Sequence, residues 1–290
     1  MMIDNFIRYI ADIRRYSQRT VASYRNNLLS FSSWLDSQQL DEGALRPRDI
    51  NNYIAALMER GLKPNSINQY LASIRSYFDY CCRFENMETN PAAGVRDVRA
   101  PKLLPRYIPS DKMDYLIDYL LPKDTFKRFR TRIVILIFYH TGIRCQELAN
   151  LKFNDIDINN MYLRVIGKRD KERIIPFGKE LAEEIAMYRY SMACAIDSKC
   201  TNVVQTINGE ACTAYQIRQI CKLALRRIVP EELAHPHVLR HTFATVLMNN
   251  GAKIENVRML LGHASVQTTA IYQHVSINYL RDTYSQIFNK

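Results

Sequence analysis

Arg144, Lys168, His237, Arg240 and His263 form a row of cationic and proton-carrying groups along the chain, and a phenol, Tyr272, closes it. Cleaving a phosphodiester builds negative charge on the non-bridging oxygens and requires a proton for the departing 5′ oxygen. Fixed cations and an acid therefore suit a site that uses tyrosine as nucleophile. Arginine fits the first task because its planar, permanently charged fork binds two oxygens at once. A phenol with its pKa near ~10 is a poor nucleophile at neutral pH and needs neighbouring cations and a base. Pro236 suits a first helical position, and the helix it opens would bury Leu239, Phe243 and Val246. His237 and Arg240, three residues apart, then project from one side of the first turn, where unpaired N–H groups also favour phosphate.

Taken singly, each of these residues has a plainer reading. Arg144 would serve as a surface charge or an ion-pair partner of Glu147, His237 as a helix-start or core histidine, and Arg240 as a solvated charge. Lys168 would be a solvent-facing lysine in a basic edge with Lys171 and Arg173, and His263 a loop residue beside the helix stop Gly262. Tyr272 is one of 18 tyrosines and is selected by position alone, nine residues beyond His263, with Ser265 placed to cap a short helix that carries it. His235 and His274 read as surface residues.

The elements that must position these groups are mostly helical. Tyr24, Leu28, Phe31 and Leu35 recur from Val21 at steps of three and four, which predicts one helix face. Three more helices are read around Phe6 to Ile13, through Ile50, Tyr53, Ile54 and Leu57 to a stop at Gly61, and through Ile67, Leu71, Ile74 and Phe78. Short polar connections make these an antiparallel four-helix unit of roughly 90 residues. From Asn90-Pro91, prolines 101, 105 and 109 and the charges Arg96, Arg99, Lys102 and Arg106 predict an extended basic linker. Ser110 is then read as the N-cap of the next helix, and an apolar helix through Ile133 to Phe138 breaks at Thr141-Gly142, so that Arg144 starts a new one. The stretch MYLRVIGKRDKERIIPF carries β-branched and aromatic residues around a Gly-Lys-Arg-Asp turn, a hairpin with Lys168 at its tip. The rest reads as helical, with Gly251 and Gly262 as stops.

With 290 residues and 47% hydrophobic content, two ordinary domains with their own cores are expected. A formal charge of +11 and a pI near 9.3 fit a polyanionic partner, a property shared with other basic proteins. The seven cysteines lack paired C-x-x-C spacing, which suits reduced thiols in a cytoplasm better than disulfides or zinc. The longest apolar run, Ile133 to Tyr139, is too short for a membrane span, and the first residues do not form a signal peptide. Neither a Walker motif nor a metal-ligand cluster is found.

In the segments TGIRCQEL, HPHVLRHTFATVLMNNGA and MLLGHASVQTTAIYQHV, in residue order and in the step from His263 to Tyr272, the chain resembles the tyrosine recombinase (phage integrase) family. The specific motifs lie in the C-terminal half; the N-terminal half contributes a helical pattern. The resemblance implies a mainly α fold with a small β-sheet. Residues 1–90 would be a four-helix core-binding (SAM-like) DNA-binding domain, 91–109 a basic linker, and 110–290 the catalytic domain. It makes Arg144 and Arg240 ligands of the scissile phosphate, and His237 a phosphate ligand that helps accept the tyrosine proton. Lys168 becomes the general acid, His263 a further donor and Tyr272 the nucleophile. Glu147 and His241 would support the site from behind. Arg169 stands where many relatives carry glycine, so the hairpin turn departs from the family pattern.

By the same resemblance, neither metal nor ATP is needed. Partners would be a double-stranded recombination site and a homo- or hetero-tetramer with a related recombinase that passes through a Holliday junction. The two-domain length favours the Xer-type branch, which resolves chromosome dimers, acts in the bacterial cytoplasm at the nucleoid and answers to a septal DNA translocase. Alternatives are an integrase or invertase of a mobile element, a catalytically silent DNA-binding regulator and a type IB topoisomerase. Tyr279, Leu280, Tyr284, Ile287 and Phe288, at helical spacing, would pack into a neighbouring protomer or onto their own domain.

Overall fold

A computed structural model of the protein describes residues 2–99, 106–167, 172–195 and 199–262. The chain divides into two compact units, Met1–Leu103 and Leu104–Lys290. Lys168, His263, Tyr272, His274 and the expected last helix lie outside the described residues.

The first unit is helical. α1 (Ile3–Arg8) runs into a π-helical turn, Tyr9–Ile13, and is followed by α2 (Gln18–Ser37), α3 (Pro47–Glu59) and α4 (Pro64–Phe84). The starts of the long helices are written locally: Ser17 caps α2 by accepting the Thr20 N–H, and α3 and α4 open on proline, which needs no N–H there. Most of each expected stripe is buried, while Tyr24 is only partly covered. Leu28, Phe31 and Leu35 of α2, Ile50, Tyr53, Ile54 and Leu57 of α3, and Ile67, Leu71, Ile74 and Phe78 of α4 meet in one core with Phe6 and Tyr77. Residues 90–98 also belong to this unit. Ala92 and Val95 are buried in its core, Arg75 of α4 donates to the Ala92 and Val95 carbonyls and pairs with Asp97, and Asn68 exchanges two hydrogen bonds with the Val98 backbone.

The second unit is built around α6 (Phe126–Thr141), whose stretch Ile133–Tyr139 is buried. A helix that is apolar on every side must be covered on every side, and α8 (Lys179–Ala195), α9 (Ala214–Leu225) and α10 (Pro236–Asn249) pack against it. Of its buried arginines, Arg132 pairs with Glu184 at 2.8 Å and Arg130 donates to the Gln205 carbonyl at 2.8 Å. α5 (Ser110–Tyr115) precedes it, with Pro109 as the N-cap residue; Ser110 is therefore the first helical residue and not the expected cap. Thr125 caps α6 itself, and Gly142, at φ +60°, ends it in the left-handed conformation.

Arg144 is the N-cap residue of α7 (Cys145–Asn150). β1 (Ile156–Asp157), β2 (Tyr162–Ile166) and β3 (Glu172–Pro176) form an antiparallel sheet in sequence order, so the expected hairpin is present with Val165 opposite Arg173 and Leu163 opposite Ile175. α11 (Ile254–Leu261) ends at Gly262, φ +65°, the last described residue. The chain is thus mostly helical with a small three-stranded sheet.

Candidate active site

Three elements of the second unit converge on the C-terminal end of α11. A helix leaves its last carbonyls without internal partners and carries a partial negative charge there. Here three consecutive carbonyls are each taken by a different arginine. Arg173 Nε donates to the Leu260 carbonyl at 2.9 Å, Arg240 Nη2 to that of Leu261, and Arg144 Nη2 to that of Gly262 at 3.3 Å. Arg240 Nη1 also donates to the Gly142 carbonyl at 2.7 Å, so the stop of α6 and the stop of α11 are held by one guanidinium. Gly142 has no room for a side chain: a Cβ would lie 2.5 Å from the Phe243 ring.

Glu147 is the carboxylate among these cations. Its Oε2 accepts the Arg144 backbone N–H at 2.7 Å, and Oε1 accepts from Arg144 Nη1 at 3.0 Å. Arg173 adds a two-pronged pair, Nη1 to Oε1 and Nη2 to Oε2, both at 2.8 Å. Burial by itself would push the Glu147 carboxyl up, but the bonds from Arg173, then those from the Arg144 backbone and side chain, hold it down at about 2. Arg240 is pulled down to about 10 by burial and by the charges of Arg144 and Arg173, so it still carries its proton at neutral pH. In this network one carboxylate faces three guanidinium groups. Buried charge is costly unless paired, and a cluster left short of negative charge is built to receive an anion.

α10 supplies the histidines. Pro236 is its first residue, and His235 is its N-cap, accepting the Val238 N–H on Nδ1 at 3.2 Å. His235 is therefore a structural cap and not the surface residue expected. An Nδ1 that accepts must be unprotonated, and burial, followed by the neighbouring His241, lowers the His235 pKa accordingly. His237 is exposed on the first turn, three residues before Arg240. Partial burial of its ring and then His235, Arg240, His241 and Arg218 lower its pKa, which leaves it neutral and ready to accept a proton. His241 is exposed on the same helix.

Of the residues selected from sequence, Arg144, Glu147 and Arg240 are brought together, and His237 lies on the turn of α10 that carries Arg240. Lys168, His263 and Tyr272 fall outside the described residues. The residue that sequence reading assigned only to a basic edge is Arg173. Its signal was strand alternation: Arg173 shares a face with Ile175, which is fully buried, and stands opposite buried Val165.

Among the described residues no helix is long and apolar enough to cross a membrane, and no group of three or more His, Cys, Asp or Glu residues could hold a metal ion. The pattern of the phage integrase family matches residues 106–278, and that of its N-terminal SAM-like domain matches residues 3–84. The chain is 31% identical over 281 residues to tyrosine recombinase XerC of Staphylococcus carnosus strain TM300, covering 97% of this chain and 95% of that one. It is 32% identical to XerC of Staphylococcus aureus strain USA300, with 97% and 94% covered. Among solved structures it is similar to the XerH site-specific recombinase bound to a palindromic difH substrate after cleavage, at a TM-score of 0.75, 20% identity and coverage of 99% and 85%. It is also similar to the XerA recombinase, at a TM-score of 0.51, 25% identity and coverage of 98% and 97%.

Proposed function

The chain belongs to the phage integrase family as a site-specific tyrosine recombinase, and on that premise we propose that it resolves chromosome dimers through a 3′-phosphotyrosine intermediate on Tyr272. The observation that carries this reading is the convergence of Arg144 and Arg240 on the end of α11 beside the single carboxylate of Glu147, which Arg173 already pairs. Arg144 and Arg240 hold the non-bridging oxygens of the scissile phosphate, and His263 adds a donor. Charge that develops on those oxygens is stabilised by groups already in place. The Tyr272 oxygen bonds to phosphorus while the bond to the 5′ oxygen breaks. The phenol proton passes to His237, and Lys168 protonates the 5′ oxygen. The released 5′ hydroxyl of one strand attacks the phosphotyrosine of the other, which returns the bond energy to DNA. Glu147 and His241 support these groups from behind.

The helical first unit, which takes in residues 91–98 expected in the linker, serves as the DNA-binding core domain, and the second unit, whose core already includes Ile108, serves as the catalytic domain. The two family patterns, at residues 3–84 and 106–278, support that division. Four protomers, of this chain alone or with a related recombinase, act on two duplex sites in the bacterial cytoplasm at the nucleoid, and a septal DNA translocase activates them. Kinship with XerC over nearly the full length of both chains supports this assignment.

The test begins with DNA crosslinked to the protein in cells, rebuilt as a duplex nicked beside the cleavage point so that the covalent adduct is trapped. The wild type should form the adduct and Tyr272→Phe should not. Absence of any adduct, or an adduct that persists in Tyr272→Phe, overturns the mechanism. Recovery of element ends in place of a single chromosomal site would assign the chain to a mobile element.

A further inference from the structure

Arg173 has no role in the chemistry above, and its geometry is unlike that of a phosphate ligand. All three guanidinium nitrogens are committed inside the protein, two to the two oxygens of Glu147 and one to the Leu260 carbonyl. Its side chain is 13% exposed, against 31% for Arg144. Its backbone belongs to β3, as the second described residue after the hairpin turn, and pairs with Val165 of β2. One planar group therefore joins the base of the hairpin, the carboxylate that holds Arg144 and the end of α11.

The left-handed backbone of Gly262 fits the same arrangement, because a Cβ there would meet Arg173 Nη1 at 3.2 Å. The Gly262 carbonyl is in turn the acceptor for Arg144 Nη2. Arg144 is thus held through Glu147 and through Gly262, and Arg173 lies against both.

We propose that Arg173 is a positioning residue for strand cleavage: by clamping Glu147 and the end of α11 to the β2–β3 hairpin it fixes where Arg144 presents its remaining N–H groups to the scissile phosphate. This rests on the reading of Arg144 as a phosphate ligand. Arginine is required because only its fork engages both carboxylate oxygens and still offers Nε to a third acceptor. A positioning error of about 1 Å costs up to ~100-fold in rate while leaving substrate affinity nearly intact.

The test uses the full chain and the nicked duplex on which the wild type forms its adduct, with protein in excess so that one turnover is followed. Absence of a wild-type adduct would count against the proposed function and not against Arg173. Arg173→Met should cleave roughly ten- to a hundredfold more slowly at saturating protein, while the protein concentration for half-saturation of the DNA changes by less than about twofold. Arg173→Lys, which keeps the charge without the fork, should fall between Arg173→Met and the wild type. In the pair Arg144→Ala and Arg173→Met, the double variant should be no slower than Arg144→Ala alone, because Arg173 acts only through Arg144. Circular dichroism identifies which variants are folded, and if Arg173→Met is not, Arg173→Lys takes its place in the cycle. Wild-type cleavage by the folded variant, weakened DNA binding at an unchanged rate, or defects that multiply in the double variant would each overturn the proposal.

Discussion

Replacing Glu147 with glutamine removes the negative charge from the cluster and leaves its shape. The Glu147 side chain is 5% exposed and accepts four bonds, two from Arg144 and two from Arg173. In the fold its pKa lies at about 2, against an ordinary 4.5. At ~1.36 kcal/mol per tenfold change in proton affinity, that difference corresponds to about 3 kcal/mol of stability. Loss of one partner from a buried ion pair costs a similar amount, about 3–5 kcal/mol. The sign follows from a folded pKa below the unfolded one. The contribution is complete above the unfolded value of 4.5 and is lost as pH falls towards 2. The gap in unfolding free energy between wild type and Glu147→Gln should therefore be about 3 kcal/mol at pH 7 and roughly half of that by pH 3. Urea unfolding followed by circular dichroism measures it. Tryptophan fluorescence does not, because the single tryptophan, Trp34, lies in the first unit. A gap below about 1 kcal/mol at pH 7, or one that stays flat down to pH 3, would refute the assignment of this carboxylate as the anchor of the cluster.

Gly142→Ala should destabilise the second unit by roughly 2–5 kcal/mol, the sum of a left-handed alanine and a methyl forced against Phe243. Thermal unfolding should show it as a drop of several degrees at about 2–4 °C per kcal/mol, and an unchanged midpoint would contradict the close packing described. Thr242→Val keeps the shape of a residue whose hydroxyl accepts the N–H of buried Ile108 at 2.9 Å, so the orphaned donor should cost about 1–3 kcal/mol in denaturant unfolding. Adduct formation on the nicked duplex should depend on unprotonated His237. The lowered pKa places the acid-side fall of the rate below the ordinary 6.5, with His235, Arg240, His241 and Arg218 as the groups responsible after burial. A single-turnover pH profile with no such fall in the wild type, or with the same fall in His237→Ala, would remove His237 as the proton acceptor.

Local rules made much of the scaffold legible. Ile50, Tyr53, Ile54 and Leu57 fall on one face at helical spacing and are buried together, and Pro236 opens α10 where proline is best tolerated. The hairpin followed from β-branched residues around a polar turn. What sequence reading missed was decided by partners distant along the chain. Arg173 looked like part of a basic edge because its acceptors, Glu147 and Leu260, come from other elements. His235 resembles a surface histidine in sequence because capping by an imidazole is uncommon, and Ser110 has the residue type of a cap although Pro109 holds that position. Arg144 and Arg240 stand out as candidate phosphate ligands from type and spacing. That both also grip the end of α11 required coordinates.

The three arginines that meet the end of α11 also set when during folding the site can exist. Arg144 reaches Gly262 across 118 residues, Arg240 reaches Gly142 across 98, and Arg173 reaches Leu260 across 87. Contacts of such sequence separation close late, after local helices and the hairpin, because the entropy of the intervening loops must be overcome first. A nascent chain that ends before α11 contains Arg144, Arg173 and Arg240 without the carbonyls at the end of α11 that they grip, while Glu147 and the Gly142 carbonyl remain as acceptors. The arrangement proposed to hold the phosphate therefore appears only when the second unit has closed, so a partly made chain has the charge but not the geometry of the proposed site.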